Sequence, residues 1–253
     1  MVEDGNWKSR VAVAAVVLAV GFAVYQYRSV FMPHGPASLQ MRERESQRIP
    51  KLRETNSAFW QFSQLLQLVR TKAAARQVKQ YSVQVMELDP DGNNGVLWEG
   101  ETVRNEGFDP LLNVEHALWL DSSRVLGCYT AEGAPLAFRT RLNPPLNGEL
   151  VVSIHLDQPI APGATAFLFI RERVPSQAHP YKNNQRIIGL QSMRKEQDNV
   201  QGRGVLLPAR TKLVHYSPEP QAMIWNGPPM MTAWTSEDFQ EAYTGVWIMF
   251  AMP

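Results

Sequence analysis

Glu149-Leu-Val-Val-Ser-Ile-His-Leu156, then Asp157-Gln-Pro-Ile-Ala-Pro-Gly163, then the run from Thr165 to Val174: this stretch decides the fold class. Two runs rich in β-branched and aromatic residues flank a turn that holds two prolines and a glycine, the grammar of paired strands. Side chains alternate across a strand, so His155 lies opposite Ile154 and Leu156 and faces solvent. The same texture continues upstream. Tyr81-Ser-Val-Gln-Val85 places Tyr81, Val83 and Val85 on one face, and Asp89-Pro-Asp-Gly-Asn-Asn-Gly95 is a dense turn signal. Strands are expected over 96–104, 114–120 and 124–129, and Ala131-Glu-Gly-Ala-Pro135 turns the chain into another over 136–142.

Downstream, residues 175–203 are polar and hold Pro180, Asn183 and Asn184, which reads as a connection between modules. Residues 204–207, 212–216, 222–225, 231–234 and 243–250 then form a second β set, with Asn226-Gly227 as a hairpin signal made irregular by Pro228 and Pro229. The expected architecture is mainly β: an N-terminal transmembrane helix, one amphipathic helix, then two β-sandwich-like modules over 81–175 and 176–253.

The amphipathic helix lies in the segment 28–80, behind a stalk marked by Pro33, Gly35, Pro36, Pro50 and the mixed-charge run Arg42-Glu-Arg-Glu45. Asn56 or Ser57 caps it, and it runs to about Gln80, with Phe59, Phe62, Leu65, Leu66, Val69 and Ala73 recurring at spacings of three and four. Phe59, Trp60, Phe62 and Leu66 form a candidate partner-binding stripe. The competing reading packs that stripe on the chain's own sheets.

Val11 to Tyr25 reads VAVAAVVLAVGFAVY, fifteen residues without a charge. A transmembrane helix is expected over 11–27, behind a short tail of residues 1–10; counted from Ser9 to Tyr27 it offers roughly nineteen positions, enough to cross a hydrocarbon core of about 30 Å. Trp7, Tyr25 and Tyr27 suit the headgroup zones. A cleaved leader, with Gly21 and Ala23 near the cleavage point, and a buried soluble helix are the alternatives. Positive charges nearly balance across the span, so the cytoplasmic N-terminus follows from the shortness of the tail. The chain is then a single-pass protein of the plasma (inner) membrane with an extracytoplasmic C-terminal body, or a secreted one if the leader is removed.

Glu132-Gly-Ala-Pro-Leu-Ala-Phe138, Glu149 to Leu156, Pro159-Ile-Ala-Pro-Gly163 and Phe167-Leu-Phe-Ile170 together resemble the N-terminal β-sandwich of gluzincin-type zinc aminopeptidases and similar bacterial envelope modules. The resemblance covers residues 81–175. In that family the chemistry belongs to a helical domain with a His-Glu-x-x-His helix, a motif this sequence lacks, so the resemblance implies a fold and carries over no catalytic residue.

The sequence offers little chemistry. His34, His116, His155, His179 and His215 show no pairwise metal spacing, and the single Cys128 excludes an internal disulfide. Ser192-Met-Arg-Lys195 matches Ser-x-x-Lys, a pattern that a chain of this composition produces by chance, and no Lys-Thr-Gly accompanies it. Asp89, Asp91 and Asn93 alternate like calcium ligands, but Gly100 stands where a bidentate Glu is needed. Trp98, Trp119, Trp225, Trp234 and Trp247 read as core.

Removing Lys8, Arg10 and Arg28 from the 25 cationic residues, and Glu3 and Asp4 from the 24 acidic ones, leaves 22 of each. That balance speaks against nucleic acid as a partner. The expectation is a non-catalytic, membrane-anchored, extracytoplasmic protein with a binding, scaffold or assembly role. It would contact lipid through 11–27 and a protein partner or another copy of itself through its body, without a cofactor. The alternative is a membrane-tethered hydrolase, or an accessory to one, using Ser192, Lys195 or a histidine with an aspartate.

Overall fold

The structure, a computed structural model, describes Leu52 and residues 56–92, 94–118, 124–143, 149–175, 178–182, 184–193, 195–219, 222–226, 229–239 and 244–252. The expected tail, membrane segment 11–27 and stalk lie outside the described residues. Among the described residues no helix is long and apolar enough to cross a membrane.

The helix α1 (Ala58–Ala75) is followed by β1 (Gln80–Leu88), β2 (Asn94–Arg104), β3 (Leu111–Leu118), β4 (Arg124–Thr130) and β5 (Pro135–Leu136). Then come β6 (Phe138–Asn143), β7 (Glu149–Ile160), β8 (Thr165–Pro175), β9 (His179–Pro180) and β10 (Gln185–Met193). The last are β11 (Asn199–Leu207), β12 (Lys212–Ser217), β13 (Met223–Trp225), β14 (Met230–Thr235) and β15 (Thr244–Ala251). The protein is mainly β, as expected.

Eight strands make a central sheet in the order β13-β14-β11-β1-β2-β8-β4-β5. Two smaller sheets, β12-β15-β10-β9 and β3-β7-β6, complete the set. β1 and β11 pair in parallel, from Gln80 opposite Asn199 to Glu87 opposite Leu206. The strict period of two sorts the central sheet's residues onto its faces. One face presents Val83, Val85, Trp98, Phe167, Phe169, Val200, Leu206 and Met231 to α1. On the other, Met86, Val205, Leu207 and Trp234 meet Ile188, Val246, Ile248 and Phe250 of the four-stranded sheet. Further along that face, Cys128, Leu168 and Ile170 meet Val152, Ile154 and Leu156 of the three-stranded sheet. The described residues thus form two sandwiches that share one sheet.

Two expectations are corrected. The hydrogen bonding does not respect a boundary between residues 175 and 176, because β11 and β14 sit in the same sheet as β1, β2 and β8. Nor are residues 175–203 merely a connection, since they include β9, β10 and the start of β11. β10 reads Gln-Arg-Ile-Ile-Gly-Leu-Gln-Ser-Met, polar enough to pass for a loop. It is a strand because β15 satisfies its backbone from Gln185 opposite Ala251 onward and the core takes Ile188 and Met193. The turn expected over 157–163 also shortens, because β7 continues through Asp157-Gln-Pro to Ile160.

Helix α1 ends earlier than about Gln80. Gln77 takes a left-handed conformation, φ 57°. Its N–H donates to Ala74 O at 3.0 Å, and the Val78 N–H reaches Ala73 O at 2.9 Å. These bonds close the last turn and release the chain into β1. At the other end the Asn56 side chain, rather than Ser57, accepts the Ala58 N–H at 2.8 Å. Lys72 Nζ pairs with Asp238 Oδ1 and Arg76 Nη1 with Glu237 Oε1, each at 2.6 Å, tying the helix to the short 3-10 turn Ser236–Asp238.

α1 lies close on the sheet because β11 carries Gly202 and Gly204 beneath it. A Cβ at Gly202 would stand 2.6 Å from Val69 Cγ2 and 3.3 Å from Leu65. Gly202→Ala is expected to lower stability by about 1–3 kcal/mol through overpacking. In a urea-unfolding double-mutant cycle with Val69→Ala, the two losses should fall short of adding. Strict additivity would mean that the helix does not rest on the glycine.

Burial pushes the Cys128 thiol up to about 12. At neutral pH it holds almost no thiolate, the reactive form. A water-soluble thiol reagent is expected to leave the native protein unlabelled and to titrate one thiol in urea. Prompt reaction in buffer would contradict the burial.

Candidate functional site

The candidate partner-binding residues divide by helical phase. Phe59, Phe62 and Leu66 lie within the core, at 4%, 0% and 7% exposure, so they are not a docking stripe. They follow the spacing that faces the sheet, and Trp60, one position beyond Phe59, is swung about 100° around the helix. It remains 55% exposed. Phe62 sits 4.7 Å from Phe169 and 5.3 Å from Trp98 between ring centroids, inside an aromatic layer that also includes Phe59 and Tyr129.

Trp60 borders a cavity of about 480 Å³ whose other walls include Asn56, Ser63, Gln64 and Glu132. A second cavity of about 520 Å³ shares Ala131 and Glu132 and continues past Arg70, Tyr81 and Phe167. The wall between them is the turn that follows β4. Gly133 N–H donates to Thr130 O at 2.9 Å, and the Thr130 hydroxyl donates to Glu132 Oε2 at 2.9 Å. Gly133 takes φ 78°, and a Cβ there would stand 2.8 Å from Phe59 Cζ, so both backbone conformation and space demand glycine. The Leu52 N–H donates to Gly133 O at 3.1 Å.

Tyr81 stacks on Phe167 at 5.5 Å with the rings 9° from parallel. Burial raises its phenol, against the lowering effect of Arg70, so it is neutral at physiological pH and acts as a hydrogen-bonding wall. The two cavities combine an exposed indole, amide and hydroxyl groups, the Arg70 cation and the Glu132 and Asp157 carboxylates around a concave surface.

A second polar group lies between the central and three-stranded sheets. His116 Nδ1 on β3 is 3.4 Å from Glu101 Oε1 on β2. Burial alone would lower His116, but the hydrogen bond and charge of Glu101, with Glu99 and Glu172 nearby, outweigh it and raise the group. The protonated imidazole therefore stabilises the fold fully below the ordinary histidine value, and that contribution fades as pH rises through the raised folded-state value. An NMR titration of His116 is expected to give a midpoint above 6.5. Glu101→Gln should bring it down, and a wild-type midpoint below the ordinary value would remove the ion pair. The sequence reading missed this pair because its members lie on strands of different sheets. The alternation of β2 and β3 was the available signal.

The other sequence candidates stay apart. His155 is exposed and lies 3.1 Å from Asn113 Oδ1. His215 meets Glu219 at 3.1 Å. Ser192 stands in β10, and Lys195 pairs with Glu237 Oε2 at 3.6 Å. Asp89 closes the β1–β2 hairpin, where its backbone N–H donates to Asn94 O at 2.9 Å, and its carboxylate accepts Arg173 Nη1 at 3.0 Å. Among the described residues no group of three His, Cys, Asp or Glu is placed to hold a metal ion. Trp98 and Trp234 are fully buried, as expected of core residues, and Trp225 and Trp247 are half-buried.

No protein-family model matches the chain, and no curated protein matches it. It has a weak structural resemblance to M1 zinc metallopeptidases from Deinococcus radiodurans. A mutant of that enzyme bound to a Tyr-Ser-Ala substrate aligns with TM-score 0.40 and 13% identity, over 68% of this chain and 41% of that one. The structure of the enzyme itself aligns with TM-score 0.39 and 13% identity over the same shares. This chain therefore spans about two fifths of the length of those structures.

Proposed function

We propose that this chain is a non-catalytic binding and assembly protein, held by residues 11–27 as a single pass in the plasma (inner) membrane with its β body on the extracytoplasmic side. The observation that carries the binding role is Trp60, 55% exposed at the rim of a cavity of about 480 Å³. Exposed aromatic anchors beside a concave wall are the residues on which partner affinity concentrates. The uncharged run from Val11 to Tyr25 supports the anchor. Phe59, Phe62 and Leu66 hold the platform, and Trp60 with the Thr130–Gly133 turn meets the partner.

The test uses the buried state of Cys128. In full-length Trp60→Cys, a membrane-impermeant maleimide should react with the new surface thiol and spare Cys128. Expected is labelling from the extracytoplasmic side of sealed membranes, slower there than in detergent-purified protein because a partner covers the site. Labelling only after the membrane is breached would overturn the orientation. Equal rates in membranes and detergent would overturn docking at Trp60.

A further inference from the structure

The loop between β2 and β3 exposes Phe108 almost completely, at 99%. Such exposure usually accompanies a loosely held chain, yet this loop is pinned. Asn105 is buried at 4% exposure, and its Nδ2 donates to Asp109 O at 2.8 Å and to Ile160 O at 2.7 Å. Its Oδ1 accepts the Gly107 N–H at 2.9 Å. Its backbone N–H donates to Ala164 O at 3.0 Å, and its carbonyl accepts the Gly163 N–H at 2.8 Å. Asn105 thus binds the loop to the β7–β8 turn through its side chain and through both its backbone N–H and its carbonyl. Phe108 is presented on a pinned support, and Leu112, four residues further along, is also exposed, at 48%. Preorganised aromatic groups lose little entropy on burial by a partner, which makes them efficient anchors.

The charged residues nearest Phe108 in sequence are mainly acidic. Glu106 and Asp109 flank it, and no Lys or Arg occurs in residues 105–123 or 142–170. The nearest cation in sequence, Arg104, lies 4.0 Å from Glu106. Anionic headgroups would be repelled, whereas peripheral membrane anchors carry cations beside their apolar residues. Two copies meeting about a two-fold axis would set these carboxylates against one another. A basic surface is the complement.

We infer that the 105–110 loop is a docking knob whose Phe108 enters an apolar pocket rimmed by Lys and Arg on a partner protein. This surface is separate from the Trp60 rim and stands without it.

The test places a photo-crosslinking phenylalanine analogue at position 108 of the full-length chain, irradiated in its native membranes. Expected is a protein adduct whose crosslinked peptide maps to an apolar site flanked by Lys or Arg. Its yield should fall at least about fivefold on Glu106→Lys/Asp109→Lys and again at high salt. Both acidic residues are exposed, and an unchanged thermal midpoint confirms folding. Glu106→Lys alone, with a smaller fall, serves if the double variant does not fold. An adduct to lipid, an adduct to another copy of this chain, no adduct, or a yield indifferent to charge reversal would each overturn the inference.

Discussion

Phe62→Ala is expected to destabilise the body by about 3–5 kcal/mol, the range for truncating a fully buried aromatic ring. Phe62 is completely buried and touches both Trp98 and Phe169, the two large side chains at the centre of the helix-facing layer. Alanine leaves a void that neither neighbour can fill. Trp98 Nε1 donates to Glu87 Oε2 at 2.9 Å, and the Arg171 guanidinium stacks 4.3 Å from its ring, which hold the indole in place. Trp60→Ala, two positions away, is expected to change stability by only about 0.5 kcal/mol, as at other exposed sites. Urea unfolding of the two variants separates platform from docking surface. Equal, small losses would show that the helix does not seat its aromatic face on the sheet.

Cutting the chain after Pro175 is expected to abolish cooperative folding of the remainder. The cut removes β11, the parallel neighbour of β1 from Gln80 to Glu87, and β14 beyond it. It deprives Leu65 and Val69 of the Gly202–Gly204 surface on which the helix rests. It also takes away Asp238 and Glu237, the partners of Lys72 and Arg76. What is left carries an open strand edge and half a helix seat, conditions under which a β fragment pairs with other chains. Calorimetry and amide NMR dispersion of a chain ending at 175 provide the measurement. A dispersed spectrum with a sharp unfolding transition would mean that residues up to 175 form an autonomous module.

The candidate site was legible only in part. The stripe of Phe59, Phe62 and Leu66 was visible because helical spacing is local, but whether a stripe faces a partner or its own sheet depends on what the rest of the chain supplies. Here the alternation of β1, β2 and β8 supplies an apolar face opposite it. Trp60 belonged with that stripe by proximity in sequence and is separated from it by one helical step. Phe108 stood in an unremarked loop. Nothing in Asn105-Glu-Gly-Phe-Asp-Pro110 announces that Asn105 will be buried, since its acceptors, Asp109 O and Ile160 O, include a residue far along the chain.

Residue order alone determined the character of each segment: an apolar run at 11–25, a helix ahead of Gln80, and β texture from Tyr81 onward. Those properties follow from backbone preference and side-chain period over a few residues. Tertiary structure alone decided that β1 lies beside β11, that β10 is a strand, and that one sheet serves two sandwiches. Strand pairing is a contest among distant segments with similar alternation, and it is won by the arrangement that buries both faces of the central sheet at once. That is a property of the whole chain and of no window within it.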